Sequence, residues 1–245
     1  MPNYVANMID FSNTDKAVFD RICAFMNTEN DNSVEDGVLF DFNRLVPMPE
    51  SLNIECGSNT EVGKDLAYIM DDGAFDERRQ YDSARLLHLM ETEGITSQNR
   101  PFFTGAEAKQ FTQNTEIGRL LLQLGRTAIQ NLEKYDAETW YDWRVSHWAT
   151  KWNAAEVCID ADSQQIRFDT AWSFPEPIAY ALAKKFPEVD FVWTYADEDY
   201  GHNAGCFEKT GDEVFFDRYE NCSDAAYETY ANLWGEEPWL NEEED

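Results

Sequence analysis

The order in which apolar periodicities change along the chain restricts its fold more than any other feature. Residues 4–11 alternate as a strand, and Ser12 to Asp15 then offer capping groups for a helix with Val18, Phe19, Ile22, Phe25 and Met26 at helical spacing. After a polar turn at 27–36, the apolar run 37–43 reads as a second strand ended by Pro47 and Pro49, which lack the N–H a ladder needs. The opening is therefore predicted as β-α-β. Residues 50–138 change character, with a helix near 83–93 and a longer one from Thr104 to about Lys134. In the longer helix Phe111, Ile117, Leu120, Leu121, Leu124, Ala128, Ile129 and Leu132 share a face that must pack on something. Strand patterns return as a hairpin at 154–159 and 166–172, followed by a helix at 177–186 and a strand at 191–195. Two short strands at 205–209 and 213–219, joined by Thr210-Gly211-Asp212, and an amphipathic stretch at 224–234 complete the pattern before an acidic tail expected to be frayed and solvated.

This alternation predicts an α+β fold, a ferredoxin-like antiparallel sheet with helices on one face, plus a helical insertion subdomain. The predicted division is 1–50 for the first β-α-β, 51–138 for the insertion, 139–222 for the rest of the ferredoxin-like domain, and 223–245 for the C-terminal helix and tail.

Charge limits the partners. With 48 acidic against 19 basic residues the formal net charge is −29, and residues 188–245 alone hold 18 acidic side chains against Lys209 and Arg218. Such a chain repels phosphate backbones and anionic lipid, so direct nucleic-acid or membrane-surface binding is not expected. At 43% hydrophobic over 245 residues there is ample material for a core. No apolar run approaches the ~20 residues of a membrane span, and the residues after Met1 do not read as a signal peptide, so a cytoplasmic location is expected. Five scattered cysteines, odd in number and without a C-x-x-C pair, argue against a disulfide framework and a zinc site. No metal and no cofactor are expected.

The chemistry-bearing motifs are few. No phosphate-cradling glycine loop and no hydrolase elbow occurs, and His88, His147 and His202 are too far apart for a helix-borne metal pair. A pairing of His202 with Cys206 is a spatial guess only. Trp140, Tyr141, Trp143, Trp148, Trp152 and Trp172 are the densest aromatic group, for which core packing is the commoner use.

Several separated blocks carry a resemblance. They are Phe42-Asn43 through Pro47-Met48-Pro49, Trp143 through Asn153, and Phe168 through Pro175, followed by Phe186-Pro187 and the stretch from Tyr195 to Gly205. In these blocks the chain resembles the YubB ferredoxin-like family of plasmid- and phage-encoded proteins (Api-like phage proteins), with Ala149 where the family usually has Gly and Phe174 where it usually has Pro. The resemblance implies a ferredoxin-like fold and a mobile-element setting, and it implies no catalytic residues.

Two functions are compatible with these features. In the first, a non-enzymatic phage- or plasmid-encoded interaction protein, an anti-CRISPR or anti-restriction antagonist, occupies the basic nucleic-acid-binding surface of a host protein. Its contacts would be Asp197, Glu198, Asp199, Asp212, Glu213 and Asp217. In the second, an aromatic cleft between the sheet and the insertion, lined by His147, Trp148, Lys151, Trp152, Asn153 and Trp172, takes a small molecule or nucleotide, as a binding protein or an enzyme. Oligomeric state is not legible.

Overall fold

The computed structural model describes residues 3–29, 37–71, 75–81, 83–97 and 99–235, so most of the acidic tail lies outside the described residues. In chain order the elements are β1 (Tyr4–Asp10), α1 (Lys16–Met26), α2 (Ser58–Asp71), β2 (Gln80–Tyr81), α3 (Ala84–Thr92), β3 (Phe103–Thr104), α4 (Gly105–Asn114), α5 (Glu116–Tyr135) and α6 (Trp140–Trp148). They continue with β4 (Ala155–Asp160), β5 (Gln165–Ala171), α7 (Glu176–Lys185), β6 (Phe191–Asp197), β7 (Gly205–Thr210), β8 (Glu213–Arg218) and α8 (Asp224–Trp234). Single 3-10 turns stand at Phe42–Arg44 and Glu50–Leu52. The chain divides into two compact units, one of residues 1–47 and 144–245, the other of residues 48–143.

The first unit is an antiparallel six-stranded sheet in the order β4-β5-β1-β6-β7-β8. The strands alternate. Val5, Asn7 and Ile9 of β1, Ile166, Phe168 and Thr170 of β5, and Phe191, Trp193 and Tyr195 of β6 are buried. The helices α1 and α7 cover that face: Phe11 of the β1–α1 turn meets Phe19 of α1 at 5.7 Å, and Tyr180 of α7 meets Phe207 of β7 at 5.0 Å. Helix α1 starts where Asp15 accepts from the Ala17 N–H. On the opposite face Ala226 and Tyr230 of α8 pack on Ala196 and Ala204.

Two predicted elements are corrected. Residues 37–43 are not a strand, because their backbone bonds go to the chain leaving α1 instead of the sheet: the Asp41 N–H donates to Met26 O and the Thr28 N–H to Val38 O, and Asp41 caps a 3-10 turn through the Asn43 N–H. Phe40 and Phe42 still enter the core, Phe40 stacking on Phe168 at 5.0 Å. The second strand of the ferredoxin-like β-α-β-β-α-β unit is instead β4, which follows the second unit, and β7 and β8 extend the sheet.

The predicted helix from Thr104 to Lys134 is two helices, in the second unit. Thr115 is extended (φ −114°, ψ 150°), ending α4 and starting α5, and its Oγ1 donates to Phe111 O and accepts from the Gly118 N–H. The partner of α5 is α2, and the core holds Val62, Leu66, Leu86, Met90, Phe103, Phe111 and Leu121. Among its polar ties, Lys64 pairs with Glu138 at 2.6 Å, and Asn131 donates to Ser51 O and Glu138 O.

Candidate functional site

Strand pairing lays out the open face of the first unit's sheet. One row runs Asp160, Gln165, Asp10, Val192, Glu208 and Phe215 across all six strands; the next runs Cys158, Arg167, Met8, Thr194, Cys206 and Asp217. A shallow groove on this face is lined by Met8, Asp10, Asp190, Val192, Thr194 and Glu208, among others. Asp10 accepts from the Ser12 N–H and from Gln165, and Asp190 accepts from the Gly211 N–H. Burial works against the charge on Asp10, yet the bonds from Ser12 and Gln165 prevail and hold its carboxyl below the usual range. Period-2 alternation along β1 and β7 turns Asp10 and Glu208 outward, a signal that charge density alone does not carry.

The groove leads to an edge. Among the described residues β8 pairs with β7 alone, through a two-residue turn in which Gly211 takes φ 57°. Since Thr210 and Glu213 flank that turn, the bonded pairs fall at Glu213, Phe215 and Asp217. The backbone groups of Val214, Phe216 and Arg218 therefore point away from the sheet, and no backbone partner for them is seen among the described residues. Phe216 turns inward onto Phe174 at 5.3 Å, while Phe215 is 61% exposed and Val214 40% exposed. An unpaired edge with exposed apolar side chains is a template for another strand.

The six acidic residues expected to form one surface divide. Asp212 and Glu213 lie at the β7–β8 turn. Glu198, Asp199 and Asp217 lie toward the far end of those strands, all exposed. Asp197 is corrected: it is 6% exposed, and its carboxylate accepts from Asn3 Nδ2, the Asp199 N–H and Asn203 Nδ2, so it shapes the loop after β6 instead of meeting a partner.

The aromatic-cleft residues are also rearranged. Trp148 is fully buried, donates from Nε1 to Val46 O and meets Phe42 edge-on at 5.7 Å, so it belongs to the core. Asn153 is a structural clasp: Oδ1 accepts from the Phe42 N–H and Nδ2 donates to Asp41 Oδ1 at 2.7 Å. His147 is exposed beside Ser146. Lys151 stands over the rings of Trp152 and Trp172, and Trp172 is 40% exposed, giving a small surface stack. Ala149 has φ 60°, a conformation glycine adopts without cost.

Asp169 of β5 sits beside Ala6 and Ala155 on the face opposite the main core. Burial raises its carboxyl, and the nearby Glu156 and Glu198 carboxylates raise it further. A carboxyl raised in the folded state contributes stability that is full below its unfolded value and is lost as pH rises through the folded value. Asp169→Asn is therefore expected to stabilise the protein at neutral pH, with the gain vanishing below the ordinary value of 3.8, as urea midpoints at the two pH values will measure.

The fold and this face define a ferredoxin-like α+β protein with an acidic open sheet and a bare edge strand. Residues 147–235, less than half of the chain, match the family model described as the ferredoxin-like domain in Api92-like protein. Among solved structures, the crystal structure of a protein api92 from Yersinia pseudotuberculosis aligns with 90% of this chain and 99% of its own at 12% identity and a TM-score of 0.40. No curated protein matches. Among the described residues, no helix is long and apolar enough to cross a membrane, and no group of three or more His, Cys, Asp or Glu side chains is arranged to hold a metal ion.

Proposed function

We propose that this chain is an acidic interaction protein that docks through its β8 edge and acidic sheet face onto a basic, nucleic-acid-handling partner and occupies the partner's nucleic-acid surface. The observation that carries this reading is Phe215, 61% exposed on an unpaired edge and flanked by Glu208, Glu213 and Asp217 in a chain of net charge −29. The edge supplies backbone bonds and an apolar anchor, while the carboxylates steer a basic partner and reject acidic ones. The resemblance to plasmid- and phage-encoded proteins supports a cytoplasmic host-defence antagonist, with a CRISPR effector or restriction enzyme as its target.

The triple variant Glu213→Lys, Phe215→Ser, Asp217→Lys tests it. All three side chains are exposed, so the fold is expected to survive, as far-UV circular dichroism will check. In affinity capture from a bacterial lysate at low salt, the wild type is expected to retain basic DNA- or RNA-binding proteins that the variant loses by at least about tenfold, since interface anchors are worth about 2 kcal/mol or more. Equal capture by both would overturn the reading.

A further inference from the structure

A second constellation lies on the loops after β6 and β8, at the end of the strands where Asp217 stands and away from the β7–β8 turn. The Cys222 Sγ stands 3.9 Å from His202 Nε2, and His202 Nδ1 stands 3.0 Å from Tyr200 O and 3.6 Å from Asp199 Oδ2. These contacts fix the tautomer: Nδ1 faces two oxygens and carries the hydrogen, which leaves the Nε2 lone pair toward the thiol. The arrangement is braced on every side. Asp197 holds the Asp199 N–H, the His202 N–H donates to Asp199 O, and the Cys222 N–H donates to Gly201 O at 2.8 Å, joining the two loops. Tyr200 stacks on Tyr227 of α8 at 4.6 Å, and Gly201, at φ 73°, lies so close that a Cβ there would sit 2.3 Å from the Tyr227 ring. Cys222 itself is exposed and held at φ 61°, a strained conformation for a residue with a Cβ. Cys206, the sequence's guess for the partner of His202, is half-buried in β7, and burial raises its thiol.

We propose that Cys222 is a nucleophilic thiol, with His202 as its general base and Asp199 as a positioning residue, that reacts with disulfides. His202 Nε2 takes the thiol proton as Sγ attacks one sulfur of the incoming disulfide. A new S–S bond forms at Cys222, the old one breaks, and the departing sulfur leaves with the electron pair and takes the proton back from His202. Cys222 is oxidised to the mixed disulfide and half of the incoming disulfide is reduced to thiol. This exchange needs in-line access to an exposed sulfur and no oxyanion donors, which suits a surface thiol.

The chain carries its own controls in Cys56 and Cys158, both exposed. The full-length reduced protein, treated near neutral pH with oxidised glutathione or with a disulfide-linked peptide, is followed site by site by peptide mass spectrometry. Cys222 is expected to react at least about tenfold faster than Cys56 and Cys158 with one or both reagents, a threshold set below the roughly 10²-fold or more that general-base catalysis typically supplies. Preference between the reagents tells whether a small or a protein disulfide is favoured. His202→Gln is expected to bring Cys222 down to the rate of the two controls without changing theirs, and Asp199→Asn to slow it a few-fold. Should His202→Gln unfold the protein, half-buried Cys23 would become reactive and the wild-type ratio would decide alone. Equal rates at all three exposed cysteines, or an unchanged Cys222 rate in a folded His202→Gln protein, would overturn the proposal. The β8 triple variant is expected to leave Cys222 reactivity intact, so the two sites fail separately.

Discussion

Lys209→Met is expected to destabilise the first unit by about 4 kcal/mol, the largest single-site effect foreseen for it. Lys209 lies on β7 at 4% exposure, and its Nζ donates to Pro187 O, Val189 O and Gly211 O at 2.8, 2.7 and 2.9 Å. Three carbonyls from two turns thus share one ammonium, which ties the α7–β6 loop to the β7–β8 hairpin. Methionine nearly fills the volume but strands the buried Val189 carbonyl, at about 1–3 kcal/mol, and removes the two charge-assisted bonds to Pro187 O and Gly211 O, which lie at exposed residues where water can take part of the ammonium's place. Urea unfolding monitored by tryptophan fluorescence will show it as a lowered midpoint. A midpoint within error of wild type would mean that water replaces the ammonium at no cost.

Gly125→Ala is expected to cost the second unit about 3 kcal/mol, at the upper end of ordinary overpacking. Gly63 of α2 and Gly125 of α5 bring the two backbones together: a Cβ on Gly125 would stand 1.9 Å from Gly63 O and 2.0 Å from its carbonyl carbon. Those atoms are main chain, so the two helices must move apart and loosen Leu66 and Leu121 between them. Thermal unfolding compared with Gly94→Ala checks it. Gly94 has open space but φ 69°, so its cost is backbone strain alone and is expected to be about 1 kcal/mol. Equal losses at the two glycines would contradict the helix contact.

Where local pattern and tertiary role agree, the fold was legible in the residues. β1, α1, the β4–β5 hairpin, α7 and β6 to β8 were all foreseen, because each strand alternates and each helix repeats. The failures have physical causes. Residues 37–43 have a strand's composition but spend their hydrogen bonds on the end of α1, a pairing of distant backbone that no local pattern reports. The break at Thr115 is a side-chain cap inside a continuous apolar stripe, and α2 escaped notice because Gly63 and the polar residues around it dilute the periodicity. At the candidate sites, charge counting found Glu213 and Asp217 but not the exposed Phe215 between them, which only strand register turns outward. Tryptophan clustering pointed to Trp148, whose indole N–H is satisfied inside the core. The approach of Cys222 to His202 depends on a loop-to-loop bond across twenty residues, and sequence proximity favoured Cys206 instead.

Competition with nucleic acid tests the central claim most directly. A basic partner captured on the immobilised protein is titrated with short duplex DNA, or with its guide RNA, at low and then at moderate salt. If the acidic sheet face occupies the partner's nucleic-acid surface, the nucleic acid releases the partner, no ternary complex forms, and added salt weakens capture steeply because both binders rely on the same cationic surface. A stable ternary complex, with capture unchanged by nucleic acid and by salt, would contradict the account.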